Sequence, residues 1–330
     1  MSTFPRRTFI RNLSLALAAA SFFRRSTAAS FLPRSASRLT DPAAGRLTVP
    51  AAGRLTVPLV GLQLYTVRDD MKSDPSGTLK RLSGMGYRYL EHANYVNHTF
   101  YGYEAHAFRQ LLDGMGLLML SGHTELKATH WDEAKKDFTD DWKKTLDDAL
   151  VVGQSYVISP WLAEDLRGDY DKLSRFLDVF NVCGKLCKSK GLQFGYHNHD
   201  FEFKDHLQGR NLFDIILTGT DPSLVAQQLD IGNLYAGGAK PMDILQQYPG
   251  RFSLLHVKDL IPAKGQGEMN DPYDSTVLGQ GILGTREILK TAVHSGATRL
   301  IIEQESYQGR KPLDDCRSDL AVMKGWGYRA

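Results

Sequence analysis

Cysteine is scarce in this chain. Cys183, Cys187 and Cys316 are the only three in 330 residues, too few and too oddly placed for a disulfide framework. Cys183 and Cys187 sit four apart beside Val182 and Leu186 in a helical pattern and read as core thiols. No apolar run is long enough to span a bilayer: the clearest, Leu13–Phe23, covers about a dozen residues, against roughly 20 for a membrane helix. No glycine-rich phosphate fingerprint follows the first strand candidate, where the chain reads Leu62-Gln63-Leu64-Tyr65-Thr66-Val67-Arg68. An excess of positive charge is also missing from the body. Residues 1–58 hold nine arginines, no lysine and one acid, a balance of +8, so residues 59–330 carry −5 of the net +3. Nothing in that balance calls for nucleic acid as a partner.

The N-terminus reads as an address. A charged segment (MSTFPRRTFIRN) precedes the apolar block LSLALAAASFF and a small-residue cleavage zone near Thr27-Ala28-Ala29. Arg6-Arg7-Thr8-Phe9-Ile10 resembles the twin-arginine export signal, which predicts a signal peptide over 1–29 and a periplasmic location with no stable membrane anchor. Residues 43–50 (AAGRLTVP) are repeated at 51–58, and 30–58 is expected to be a linker.

From residue 59 onward, short apolar or β-branched runs alternate with helical patterns. Strands are predicted at 60–65, 89–92, 117–121, 156–159, 193–196, 225–229, 252–257 and 299–302. Helices are predicted at 74–85, 103–115, 139–152, 170–190, 241–248 and 285–295. Eight alternating units in about 270 residues fit an α/β fold, a (β/α)8 TIM barrel over 59–330, with a doubly wound open sheet as runner-up.

Barrel sites collect at the C-terminal strand ends. Strand two ends in Glu91, strand three at His123, strand five in His197-Asn198-His199, strand six in Asp230 and strand eight in Glu303; strand seven carries His256 with Lys258 beyond it. Four successive ends thus offer His197, Asp230, His256 and Glu303. Two imidazoles and two carboxylates suit one divalent metal ion such as Mn²⁺, Co²⁺, Zn²⁺ or Fe²⁺. A structural role stands beside each: Asp230 is also placed to cap the following turn, and a lone strand-end histidine is commonly a hydrogen-bonded scaffold residue. His199 shares the face of His197 if the strand continues. Glu91 is a candidate to contact substrate or orient a neighbour, His123 to contact a substrate hydroxyl, and Trp161 to stack on a substrate ring. Lys258 is a candidate to stabilise an enolate, and Phe201 and Phe203 are assigned to packing.

The body resembles the xylose-isomerase-like TIM barrels, a family of sugar isomerases and epimerases that also includes DNA-repair endonucleases. The matching pieces are Gly61–Arg68, Met85-Gly86-Tyr87, Tyr196–Asp200, Leu229–Gly232, His256–Asp259 and Ile302-Glu303-Gln304. The resemblance implies one metal, most often Mn²⁺, on His197, Asp230, His256 and Glu303, with Glu303 also serving as a base. It implies a metal-dependent isomerase acting on a sugar or keto-sugar through an enediolate. The alternatives are a lyase or hydrolase acting on 3-keto-glycosides, and a non-catalytic sugar-binding barrel. Many epimerases of the family carry Glu where this chain has His197, which removes one of the two bases their route needs. A small-molecule sugar is the expected partner, nucleic acid is not, and an oligomer is compatible with the sequence.

Overall fold

The computed structural model describes residues 57–329. The export-signal reading and nearly all of the linker fall on residues 1–56, outside them. Eight parallel strands form a closed barrel: β1 (Leu59–Gln63), β2 (Tyr89–His92), β3 (Leu118–His123), β4 (Tyr156–Ser159), β5 (Gln193–His197), β6 (Val225–Asp230), β7 (Leu254–Val257) and β8 (Arg299–Ile302), each paired with its neighbours and β8 with β1. The principal outer helices are α1 (Pro75–Met85), α2 (Ala105–Asp113), α3 (Asp140–Val152), α4 (Tyr170–Ser189), α5 (Leu212–Gly219), α6 (Pro241–Gln247), α7 (Thr285–His294) and α8 (Pro312–Gly325). The predicted barrel is therefore what forms.

Local chemistry sets the helix ends. Asp74 accepts from Gly77 N at 2.9 Å ahead of Pro75, and Gly86 closes α1 at φ 106°, a backbone that favours glycine. Thr139 caps α3, and Asp169 caps α4 through Lys172 N at 3.0 Å. Most boundaries shift from the sequence reading by one or two residues, and two of the shifts bear on the barrel. Leu64–Val67 is a 3₁₀ turn, not strand, because the Gln63 side chain accepts from Tyr65 N and turns the chain over the barrel mouth. The seventh strand begins at Leu254, two residues later than predicted.

The two-residue alternation of each strand decides what enters the barrel. On β5, Phe194 and Tyr196 face out, where Phe180 of α4 packs at ring distances of 5.2 and 5.8 Å; Gly195 and His197 face in. Ile158, Ala226 and Leu254 fill the lower interior. Gly61 and Gly195 leave them room: a Cβ at Gly195 would sit 2.6 Å from Ile158 Cδ1, and one at Gly61 2.9 Å from Ile301 Cδ1. Above this apolar layer the inward positions turn polar. Cys183, Cys187 and Cys316 are buried and free, as core thiols should be. Among the described residues no helix is long and apolar enough to cross a membrane.

Candidate functional site

A polar floor lies at the C-terminal end of the barrel, centred on Glu91, which has no solvent exposure. Its Oε1 accepts from Gln63 Nε2 (2.8 Å) and His256 Nε2 (2.6 Å) and lies 3.2 Å from His123 Nε2. Its Oε2 accepts from Gln228 Nε2 (2.7 Å) and from the Ser121 hydroxyl. Burial alone would raise this carboxyl, but the charges of His123 and His256 outweigh it and hold the group well below the usual carboxylate range. Both Glu91 oxygens are thus taken by neighbouring side chains beneath the pocket.

Gln228 is the second organising group. Its Oε1 accepts from His123 Nε2 at 2.8 Å and His197 Nδ1 at 3.0 Å. A proton on His197 Nδ1 leaves Nε2 bare, and that nitrogen lies 3.9 Å from Asp230 Oδ2. His256 is fixed in the opposite sense: Nε2 meets Glu91, and Nδ1 faces Glu303 Oε2 at 2.9 Å and Asp230 Oδ2 at 3.6 Å. His256 is pushed well above its ordinary pKa. Burial opposes the shift, and Glu303 and Glu91 drive it. His197 is held well below, by burial and then by His256 and His123.

Asp230 caps the turn that follows it, as foreseen. Oδ1 accepts from Gly232 N (2.8 Å) and Asn233 N (2.7 Å), capping the short helix Ile231–Ala236. Oδ2 is buried and makes no hydrogen bond, although Lys258 Nζ stands 3.0 Å away at an angle that forms none. Lys258 is 1 % exposed and also lies 2.9 Å from Glu303 Oε2 and 2.7 Å from Glu305 Oε2. Burial disfavours its charge, yet Asp230, Glu303 and Glu305 hold it well above the usual lysine range. Burial would raise Asp230 and Glu303, but Lys258 and then His256 depress both.

Donor atoms of Asp230, His256 and Glu303 lie within 4.8 Å of one another, as do those of His123, His197 and His256. A carboxylate oxygen with no hydrogen bond, a second carboxylate and an imidazole with its far nitrogen on a carboxylate together fit a divalent cation; that carboxylate–histidine arrangement is typical of metal sites. His197 belongs to the second of these groups, which shares His256 with the first.

Over the floor opens a cavity of about 490 Å³, lined among others by Tyr65, His123, Trp161, His197, His199, Asn233, Glu303 and Glu305. β5 ends at His197, so His199 stands on the following turn, its ring 5.1 Å from that of His197 and its Nδ1 without a partner. Burial and then Lys258 lower its pKa to about 4. Trp161, 39 % exposed, meets His199 edge-on at 5.1 Å on the rim, with the Arg167 guanidinium 4.5 Å from its ring centre.

Sequence reasoning missed Gln228, Gln63 and Ser121. Gln228 had a usable signal: it is two before Asp230 and so shares its inward face. Glu202 is fully buried on the short helix Phe201–Lys204. It binds the Tyr196 hydroxyl at 2.5 Å and accepts from His199 N at 2.8 Å. Phe201 and Phe203 are packed on that helix, as expected.

A model of the xylose isomerase-like TIM barrel family matches residues 79–326. An inosose dehydratase of Bacillus cereus (strain AH820) is 34% identical over 92 residues, 28% of this chain and 29% of that protein. The chain thus matches under a third of the length of that curated relative. The crystal structure of a sugar phosphate isomerase/epimerase from Parabacteroides distasonis superposes with a TM-score of 0.68 at 25% identity, covering 84% of this chain and 96% of that one. A probable 3-DHS dehydratase from Bacillus anthracis shares the fold at 13% identity and a TM-score of 0.60, over 80% of this chain and 98% of its own.

Proposed function

The chain belongs to the xylose isomerase-like TIM barrel family, and on that premise we propose that it is a metal-dependent lyase. Its substrate would be an unphosphorylated keto-sugar or related polyhydroxy ketone, from which it removes a group β to the carbonyl. The observation that carries this reading is the identity of the strand-five group. His197 stands where a second carboxylate would be needed to work on the substrate from the face opposite Glu303, and Gln228 fixes it with Nε2 turned toward Asp230. A reaction that needs one movable proton therefore fits better than a two-base epimerisation. The similarity to inosose dehydratases supports the same choice.

Asp230, His256, Glu303 and His197 would hold the ion, Mn²⁺ first among those the donor set suits. When bound, such an ion supplies Lewis acidity to the substrate carbonyl. The residues of the chain do the remainder. Glu91 and Gln228 hold the ring nitrogens of His256, His123 and His197 in fixed roles. His199, which lines the cavity, takes the proton α to the carbonyl. The Lys258 ammonium stabilises the enolate that results. The enolate electrons then form the carbon–carbon double bond as the β carbon–oxygen bond breaks, and the protonated His199 returns its proton to the departing oxygen. Trp161 covers one face of the ring.

Isomerisation is a second reading, supported by the likeness to the Parabacteroides distasonis isomerase/epimerase; it shares the first proton transfer and loses no group. Export through the twin-arginine route belongs to the same proposal, supported by Arg6-Arg7 ahead of the apolar block. One experiment separates the readings: NMR of 3-ketoglucose and of free aldoses incubated with the Mn²⁺-loaded protein, with and without chelator. Chelator-sensitive appearance of an unsaturated, dehydrated product supports the lyase. Carbonyl migration without loss of oxygen supports the isomerase, and metal binding with no turnover overturns both.

A further inference from the structure

The floor and its cavity account for one sugar ring, but the mouth of the barrel holds more space. A second cavity of about 540 Å³ opens beside the first, lined by Asn94, Tyr95, Asn97, His98, Thr124, Lys127 and neighbouring residues. The two cavities share Ala93, His123 and Glu125 in their walls, so one cleft runs outward from the floor across the ends of β2 and β3. Each is already within the roughly 300–1,000 Å³ that houses a whole small molecule.

The first of two inserted elements, with the loop after β3 and the first turns of α3, builds the outer cavity. The meander Tyr95–Val96, Thr99–Phe100 and Tyr103–Glu104 follows β2, and the hairpin Trp131–Asp132 with Asp137–Phe138 follows β3. Asn97 and His98 take positive φ (50° and 59°) at the tip of the first, a backbone seldom adopted without a reason in the surrounding structure. The wall behind them is cross-linked. Tyr95 donates to Asp148 Oδ2 at 2.7 Å and lies 3.0 Å from His98 Nδ1; His98 Nε2 lies 3.1 Å from Asp141 Oδ1; His130 Nε2 lies 3.6 Å from Asp141 Oδ2. This is a braced polar wall that presents amides, a hydroxyl, a carboxylate and an ammonium.

The charge balance selects the ligand. Lys127 Nζ lies 3.6 Å from Glu125 Oε2, and Asp141 answers the two histidines. No uncompensated cation in this wall favours a phosphate, whereas paired donors and acceptors on a half-buried surface suit vicinal hydroxyls.

We propose that this outer cavity is a second sugar subsite, so that the substrate is an unphosphorylated glycoside whose oxidised ring lies over the floor and whose second sugar lies between the meander after β2 and the loop that follows β3. The proposal rests on the lyase reading for its chemistry and on the cleft for its substrate class. With the ketone two carbons from the glycosidic carbon, the group lost is the second sugar. The proton leaves the carbon between them, the glycosidic carbon–oxygen bond breaks, and the departing oxygen takes a proton. His123, shared by both cavities, stands at the junction where that bond would lie.

The test uses two pairs of probes on the Mn²⁺-loaded protein. Turnover of 3-ketocellobiose is compared with that of 3-ketoglucose, and calorimetric binding of cellobiose with that of glucose. The variant is Asn97→Ala with Lys127→Ala. We expect wild type to prefer the two-ring member of each pair by about tenfold or more, the scale of one to two hydrogen bonds, and the double variant to reduce that preference toward one. Equal values for one and two rings in wild type, or a preference the variant leaves intact, overturns the subsite. If neither keto compound turns over while the preference for cellobiose persists and is lost in the variant, the subsite stands and the lyase reading falls.

Discussion

Replacing Lys258 by Met tests the electrostatics of the floor most sharply. The methionine side chain keeps most of the stem volume and removes the ammonium. In the wild type that ammonium is 1 % exposed and stands 3.0, 2.9 and 2.7 Å from oxygens of Asp230, Glu303 and Glu305. Solvent screening is small at that depth, so the loss leaves a buried acidic cluster without its internal cation. Removing one partner from a buried ion pair costs about 3–5 kcal/mol. For a domain of this size, at about 2–4 °C per kcal/mol, this lowers the melting temperature of the chelator-treated protein by roughly 6–20 °C. A divalent ion bound by the same acids would offset the loss, and at about 100 times its Kd it contributes about 2.7 kcal/mol. The assay is differential scanning calorimetry of wild type and Lys258→Met, each with EDTA and with Mn²⁺. The reasoning predicts a large deficit in EDTA and a larger upward shift with Mn²⁺ for the variant than for wild type. A variant that melts with the wild type in EDTA refutes it.

Other perturbations have defined outcomes. Glu202 is pushed by burial from 4.5 to about 8, so the folded state holds its proton more tightly than the unfolded chain. That contribution to stability is fully present below about pH 4.5 and is lost as pH rises toward 8, with a limiting slope of about 1.4 kcal/mol per pH unit. Glu202→Gln should flatten urea-derived stability across this window; equal slopes in the two proteins would contradict the assignment. Glu91→Gln should weaken Mn²⁺ affinity about 10–100-fold by loosening His256, read by chelator competition; an unchanged affinity would mean that the floor does not orient the site. Gly122→Ala would place a Cβ 1.7 Å from His92 Nε2 and should cost about 1–3 kcal/mol by overpacking, measured by denaturant unfolding.

The strand ends were legible because a barrel strand obeys a two-residue rule. Once β5, β6, β7 and β8 are placed, His197, Asp230, His256 and Glu303 all fall on inward positions at one end. What the residues do to each other was not legible. Glu91 and His256 are 165 positions apart and meet only because the sheet closes on itself. Lys258 follows the strand and read as an enolate stabiliser; that its ammonium also sits among three carboxylates depends on where β6 and β8 end. Gln228 lies on the inward face of β6, but its bond to His197 depends on a side-chain geometry that spacing does not encode. The burial of Glu202 was not legible either, because an acid after a strand normally faces water, whereas here a single helical turn folds it back onto Tyr196. α5 and α8 were not among the predicted helices; Leu212–Gly219 is short and apolar over most of its length, which does not separate a helix from a buried strand.

The metal centre is the account's central claim, and isothermal titration of Mn²⁺ into chelator-stripped protein tests it most directly. The account predicts one ion per chain, bound at sub-millimolar concentration in wild type and lost in Asp230→Asn, with the variant still folded by circular dichroism. Absence of binding in wild type, or equal binding in Asp230→Asn, would contradict it.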